Sequence, residues 1–170
     1  TPPGLRLGPL VASWTSPGLR TDSSGPPLEG PRTAALVQRG ASDRWELYLE
    51  CEAMEAGSGP GEDTVRVYFG PRGDSSHIIA LNASGSAILE RRRGRPSAWT
   101  DVVMGEGEGT WTALLPVPPG VIGSDGTFLV GLTRHDRTGR VSSWPRPMYP
   151  GQDEPGRVVI DLNYWMSLAP

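Results

Sequence analysis

The sequence predicts an all-β protein, an antiparallel β-sandwich of about nine or ten short strands behind an extended Pro-rich N-terminal arm. Three observations lead there. The 170 residues include 23 Gly and 18 Pro, a composition that favours turns and short strands over long helices. Several runs alternate apolar and polar residues with period two, the pattern of a sheet with one buried and one wet face. No amphipathic run of ten residues or more suits a helix. A chain of this length buries roughly 70% of its unfolded surface, enough for a core without disulfides.

The elements follow in order. Residues 1–32, "TPPGLRLGPLVASWTSPGLRTDSSGPPLEGPR", hold seven prolines and almost no periodicity. Such backbone lacks donors and favours extended conformations. It cannot build a core alone, but Leu5, Leu7, Leu10, Val11, Trp14 and Leu19 give it apolar anchors. The expectation is an ordered arm lying on its own domain or on a partner. From Thr33 the pattern changes, and residues 33–165 read as the sandwich domain, with 166–170 as a C-terminal tail. "TAALVQ" is a strand. "RWELYLECEA" sets Trp45, Leu47, Leu49, Cys51 and Ala53 on one face and Glu46, Tyr48, Glu50 and Glu52 on the other.

"GSGPGE" turns, and "DTVRVYF", "HIIALNA" and "SAILERR" follow as strands separated by "GPRGDSS" and "ASGS", whose Gly, Pro, Asn and Ser suit turns. "WTDVVM" is a strand, "GEGEG" a turn and "TWTALLPV" a strand that Pro116, Pro118 and Pro119 end or place at an edge. A single helical turn fits "PGVIG". "TFLVGLTRH", "VSSW" and "RVVIDLNYW" complete the set. The expected core is Trp45, Leu47, Leu49, Val65, Val67, Phe69, Trp111, Leu114, Val130 and Leu132.

Charge and cysteine content narrow the function. All 16 basic residues are arginines, and the net charge is −3. A nucleic-acid groove would need a basic stripe, so no nucleic-acid partner is expected. The one basic cluster, Arg91, Arg92, Arg93 and Arg95, reads as a solvated turn. Cys51 is the only cysteine, which excludes an internal disulfide and a thiolate cage, and its place in the strand pattern makes it a buried, inert thiol. No apolar run approaches the roughly 20 residues of a membrane span, and no signal peptide is visible. Thr1 fits both removal of an initiator Met and the start of a processed chain, so compartment stays open.

A family resemblance appears in the order of four segments. "RTAALVQRGASDRWELYLECEA" resembles a strand pair ending in a "LYV-x-F/A-x" element. "DTVRVYFGPRGDSSHIIALNASGSAILERR" resembles a "D-x-V-x-[VL]-x-[FL]-[DG]-P-x-G-D…[FI]…N-x-x-G" segment. "GEGTWTALLPVPPGVIG" resembles "G-W-x-x-E-[IL]-x-I-P", and "FLVGLTRHDRTGRVSSWPR" resembles "[LF]-x-[VF]-[GN]-[FL]-x-R…S-W-x-P". Together, over roughly residues 33–165, they resemble the DOMON-like, family-nine carbohydrate-binding-module-like β-sandwich. That family hosts sugar-binding modules, haem-binding electron-transfer domains and subunits, and lone domains, so the resemblance implies a fold and leaves function to the residues.

Haem would need axial ligands, and Met54, Met104, Met148, Met166, His77 and His135 fall in no segment that matches a haem ligand position; no cofactor is expected. Hydrolysis would need paired carboxylates in a cleft or a Ser–His–Asp set. Glu106 and Glu108 read as surface charge, Ser76-His77 has no elbow motif, and the chain is expected not to be an enzyme. "GSDG" at 123–126 and "GQDE" at 151–154 offer oxygen ligands but read as ordinary turns, so no metal is expected. A sugar would need aromatic platforms with polar neighbours: Trp99, Trp144 and Tyr149 with Arg134, Asp136 and Arg146 are the candidates.

The favoured expectation is a non-catalytic interaction module. Leu5, Leu7, Leu10, Trp14 and Leu19 in the arm, with Tyr164 and Trp165 in the final segment "NYWMSLAP" that runs into the tail, are the candidate contacts to another protein subunit, because apolar segments are costly to leave in water. The last strand lies near the end of the chain, so no catalytic domain is expected beyond it. Members of the resembling family serve as subunits of electron-transfer assemblies, which implies an accessory or scaffold subunit of a larger bacterial complex, membrane-associated in some cases. A carbohydrate-binding module is the alternative.

Overall fold

The computed structural model describes residues 5–7, 11–12, 31–39, 44–55, 57, 59–70, 77–90, 97–98, 101–144, 155 and 158–163. Among them, thirteen strands form two antiparallel sheets. The first sheet runs β1 (Leu5–Leu7), β3 (Thr33–Arg39), β4 (Trp45–Glu52), β10 (Thr110–Pro116) and β9 (Val103–Gly107). The second runs β2 (Val11–Ala12), β12 (Val141–Trp144), β11 (Thr127–His135), β5 (Thr64–Gly70), β6 (His77–Asn82), β7 (Ala87–Glu90) and β8 (Ser97–Ala98). The last strand, β13 (Val158–Asp161), pairs with residues 127–130 of β11, while β12 pairs with residues 132–135.

Strand parity builds the core. On the first sheet Ala35 and Val37 lie in register with Leu49 and Leu47, and these with Ala113 and Leu115. All six are buried. The intervening Glu50 and Glu52 are exposed, giving the second half of β4 the two faces its alternation predicts, whereas Tyr48 is half-buried and Glu46, expected on the wet face, is buried. The second sheet contributes Val65, Val67 and Phe69 from β5, Ile79 and Leu81 from β6, and Phe128, Val130 and Leu132 from β11. Phe69 and Phe128 meet as tilted rings with centroids 6.2 Å apart.

Local chemistry explains the turns. Between β6 and β7, the Ser86 N–H donates to Asn82 Oδ1, and Gly85 takes a φ of 94°, a left-handed conformation that glycine adopts without steric cost. The expected helical turn is a 3-10 turn at Pro119–Val121.

Three further details differ from the sequence expectation. Leu114 is only half-buried because it alternates with Ala113 and Leu115, which take the inward positions of β10. Trp45, at the start of β4, is partly buried and packs against the core, and Ala53, just past its end, is exposed. "GEGEG" is largely strand, since β9 extends through Gly107 and the turn tightens to Glu108 and Gly109. Gly105 and Gly107 sit opposite Thr112 and Thr110, and a Cβ at either glycine would lie 2.7 Å from the facing threonine hydroxyl. The arm's two strands lie on the sheets of their own domain, one of the two placements its apolar anchors suggested. β1 pairs Leu5, Arg6 and Leu7 with Val37, Leu36 and Ala35, and β2 pairs Val11 and Ala12 with Ser143 and Ser142. The arm therefore supplies an outer strand to each sheet.

Candidate functional site: the arm, its root and the sheet edges

A buried polar cluster at one end of the sandwich holds the root of the arm. It gathers the start of β3, the end of β4, the residue before β5, the start of β10 and the end of β11. Arg134 is 1% exposed, on the core-facing side of β11 in phase with Phe128, Val130 and Leu132. Its Nε and Nη2 donate to Asp63 Oδ1 and Oδ2 at 2.8 and 2.6 Å. Nη2 also donates to the Glu52 carbonyl at 2.7 Å, and Nη1 donates to the Arg32 carbonyl and to Thr33 Oγ1 at 3.1 and 2.8 Å. Five acceptors match the five N–H groups of a guanidinium. Asp63 accepts in addition from the Trp111 indole at 3.1 Å.

This arrangement joins the two sheets, because Asp63 and Arg134 belong to the second and Thr33, Glu52 and Trp111 to the first. The bidentate pair is charge-assisted and directional. Its partners are held in turn: the Arg32 N–H donates to Glu52 Oε2, and the Arg32 carbonyl accepts from the Glu52 N–H, both at 2.8 Å. Residues 32 and 33 are thus fixed where the arm enters β3. Beside the cluster lies Cys51, whose thiol burial pushes up to about 12 despite the nearby Arg134. A thiol so placed stays protonated and inert, as its strand position suggested.

Beyond the root, the arm pairs only through short strands. β1 engages three of the seven residues of β3, and β2 engages two of the four of β12. Of the candidate partner contacts, Leu5 and Leu7 lie in β1, opposite Val37 and Ala35. Leu10, Trp14, Leu19, Tyr164 and Trp165 lie outside the described residues.

The candidate sugar contacts are not brought together. Arg134 is enclosed with every donor engaged, so it offers nothing to a ligand. Asp136 is 7% exposed, and its Oδ1 accepts from the Thr138 N–H and hydroxyl and from the Arg140 N–H, closing the β11–β12 turn. Trp144 is half-buried and packs on the core. Trp99, Arg146 and Tyr149 lie outside the described residues. The hydroxyls of Thr133 and Ser143, opposite one another on β11 and β12, lack hydrogen-bond partners, but both residues are fully buried and present no surface to a sugar.

The oxygen-rich loop at 123–126 is an ordinary turn. Asp125 Oδ1 accepts from the Thr127 N–H and hydroxyl, Gly126 has a φ of 77°, and the Asn163 amide donates to the Asp125 carbonyl. Among the described residues no group of three or more His, Cys, Asp or Glu could hold a metal ion, and no helix is long and apolar enough to cross a membrane. The "GQDE" loop at 151–154 lies outside the described residues.

Sequence reading missed the Asp63–Arg134 pair, although a signal was present. Arg134 follows Leu132 in the core phase of one strand, and Asp63 precedes Val65 in the core phase of another. Two opposite charges at core positions must pair or neutralise. No family model, no curated protein and no solved structure matches the chain.

Proposed function

We propose that this chain is a non-catalytic interaction module, an accessory or scaffold subunit whose contact surface is the arm and the sheet edges beneath it. The observation that carries the reading is the placement of β1 and β2 on the outer edges of β3 and β12, with the arm's root held by Arg134. Strand edges present backbone donors and acceptors in a row, and extended segments add to them readily. The resemblance in the order of the four segments supports reading the module as a DOMON-like sandwich. The carbohydrate alternative loses Arg134 and Asp136 as surface contacts.

The test is affinity capture from source extract with the tagged chain, run beside a glycan-binding screen. A partner subunit in fixed stoichiometry is expected, with its capture lost when Arg6 and Leu7 of β1 are both replaced by Pro. Equal capture by that variant would contradict the reading. Glycan binding that Trp144→Ala abolishes would favour the alternative, since a stacking platform supplies much of a sugar's affinity.

A further inference from the structure

The two edges of the first sheet differ in how they are protected: β9 is itself the outer strand at one, and β1 covers β3 at the other. Natural edge strands carry charges, prolines, bulges or very short lengths that discourage pairing with other chains. At one edge, β9 reads "VMGEG", with an exposed Glu106 flanked by two glycines. At the other, β3 reads "TAALVQR": seven residues, no proline, no glycine and no charge before Arg39. Left open, β3 would be a long, neutral, pairing-competent edge. Its protection comes from outside its own sequence, from the three residues of β1.

That cover is separated along the chain from the root that anchors the arm. The root at residues 32 and 33 is fixed by Arg134, and 20 residues of chain separate Ala12 at the end of β2 from Thr33 at the start of β3. Release of β1 and β2 would therefore leave the root cluster unchanged. β1 covers residues 35–37 only, so Thr33, Ala34, Gln38 and Arg39 have no β1 partner.

The register also says what would replace it. β1 sets Leu7, Arg6 and Leu5 in register with Ala35, Leu36 and Val37, so an apolar residue is paired with each of the two core positions of β3. A second β3, paired antiparallel about a two-fold axis at Leu36, sets Val37, Leu36 and Ala35 against the same three. It opposes Ala34 with Gln38 and Thr33 with Arg39, with no like charges face to face. Such pairing is self-complementary, as an isologous dimer requires.

We infer that the arm is a displaceable guard of the β3 edge, and that the edge it covers takes the β3 strand of a second copy of this chain when the arm is off. The inference deepens the interaction-module reading and rests on its view of the arm as a contact element.

The test uses the full-length chain, purified alone, so that its outcome is separate from the capture of any other protein. Adjacent N–H groups on a strand point to opposite sides. One of the two prolines in an Arg6→Pro, Leu7→Pro variant therefore removes a donor facing β3. Sedimentation velocity should find the unaltered chain monomeric and the variant a folded dimer by circular dichroism. Adding Leu36→Lys to the variant should return it to monomer, because like charges would then meet at the two-fold axis. A peptide of residues 1–12 in molar excess should do the same by reoccupying the edge. A folded, monomeric double-proline variant would overturn the inference. So would a dimer indifferent to Leu36→Lys, an unaltered chain that already dimerises, or a variant that cannot fold, since a strand the sandwich cannot fold without is not a displaceable one.

Discussion

Arg134 shows how much a single residue can decide in this sandwich. It is fully enclosed, and its five donors tie Asp63, Thr33 and the carbonyls of Arg32 and Glu52 into one cluster. Removing one member of such a pair leaves an uncompensated buried charge, which costs about 3–5 kcal/mol. Arg134→Ala should lower the unfolding free energy by that amount in urea titrations. Combining Arg134→Met with Asp63→Asn, which keeps an acceptor for the Trp111 indole, should cost less than the sum of the two single changes, the signature of direct coupling. Cys51 provides a pH test. Its folded-state pKa of about 12 lies above the roughly 8.5 of a free thiol, so the unfolded chain releases this proton first as pH rises. The thiol's contribution is complete below about pH 8.5 and is lost as pH climbs toward 12. Stability should fall over that window, and Cys51→Ala should show a shallower fall, which removes the tyrosines' share from the comparison. Cys51 was legible as an inert thiol from strand parity alone. Arg134 was not, because an arginine near a polar turn usually faces solvent, and only its phase with Leu132 distinguishes it.

At the scale of elements, the long alternating strands were legible because burial imposes their period. The strands from Trp45, Thr64, His77, Thr110 and Thr127 all lie where their patterns place them. β1 and β2 were not, because two or three residues carry no period and the pairing partner lies far along the chain. The "GEGEG" hairpin failed for a different reason: its glycines answer to facing threonines across the ladder, while turn composition reads only local chemistry. Loop docking is a third interaction invisible to period. The segment before β5 lies against the β11–β12 turn, where the Gly61 N–H donates to the Arg137 carbonyl at 3.1 Å. An added Cβ at Gly59 would overlap that same carbonyl, whereas Gly120 faces open space. Gly59→Ala should cost about 1–3 kcal/mol in thermal or urea melts, as overpacking does, and Gly120→Ala should be close to neutral.

For the whole molecule, the two sheets share one apolar core that Phe69 and Phe128 bridge within the second sheet and Trp111 closes from the first. Phe69→Ala should lower stability by about 3–5 kcal/mol, with a single unfolding transition retained. The sandwich class was readable from composition and alternation because a sheet must bury one face whatever its role. The site was readable only in part, since whether an apolar arm lies on its own sheets or elsewhere depends on tertiary pairing. The claim at the centre of this account is that the arm is seated on the sheet edges yet separable from the sandwich. Hydrogen exchange of the intact chain, followed by mass spectrometry, tests it most directly. Peptides covering Leu5–Leu7 and Val11–Ala12 should be protected, but exchange through local opening well before those of β4 and β10, while the segment around Arg32 and Thr33 exchanges with the core. Arm peptides that exchange as fast as an unfolded chain, or only together with β4 and β10, would contradict it.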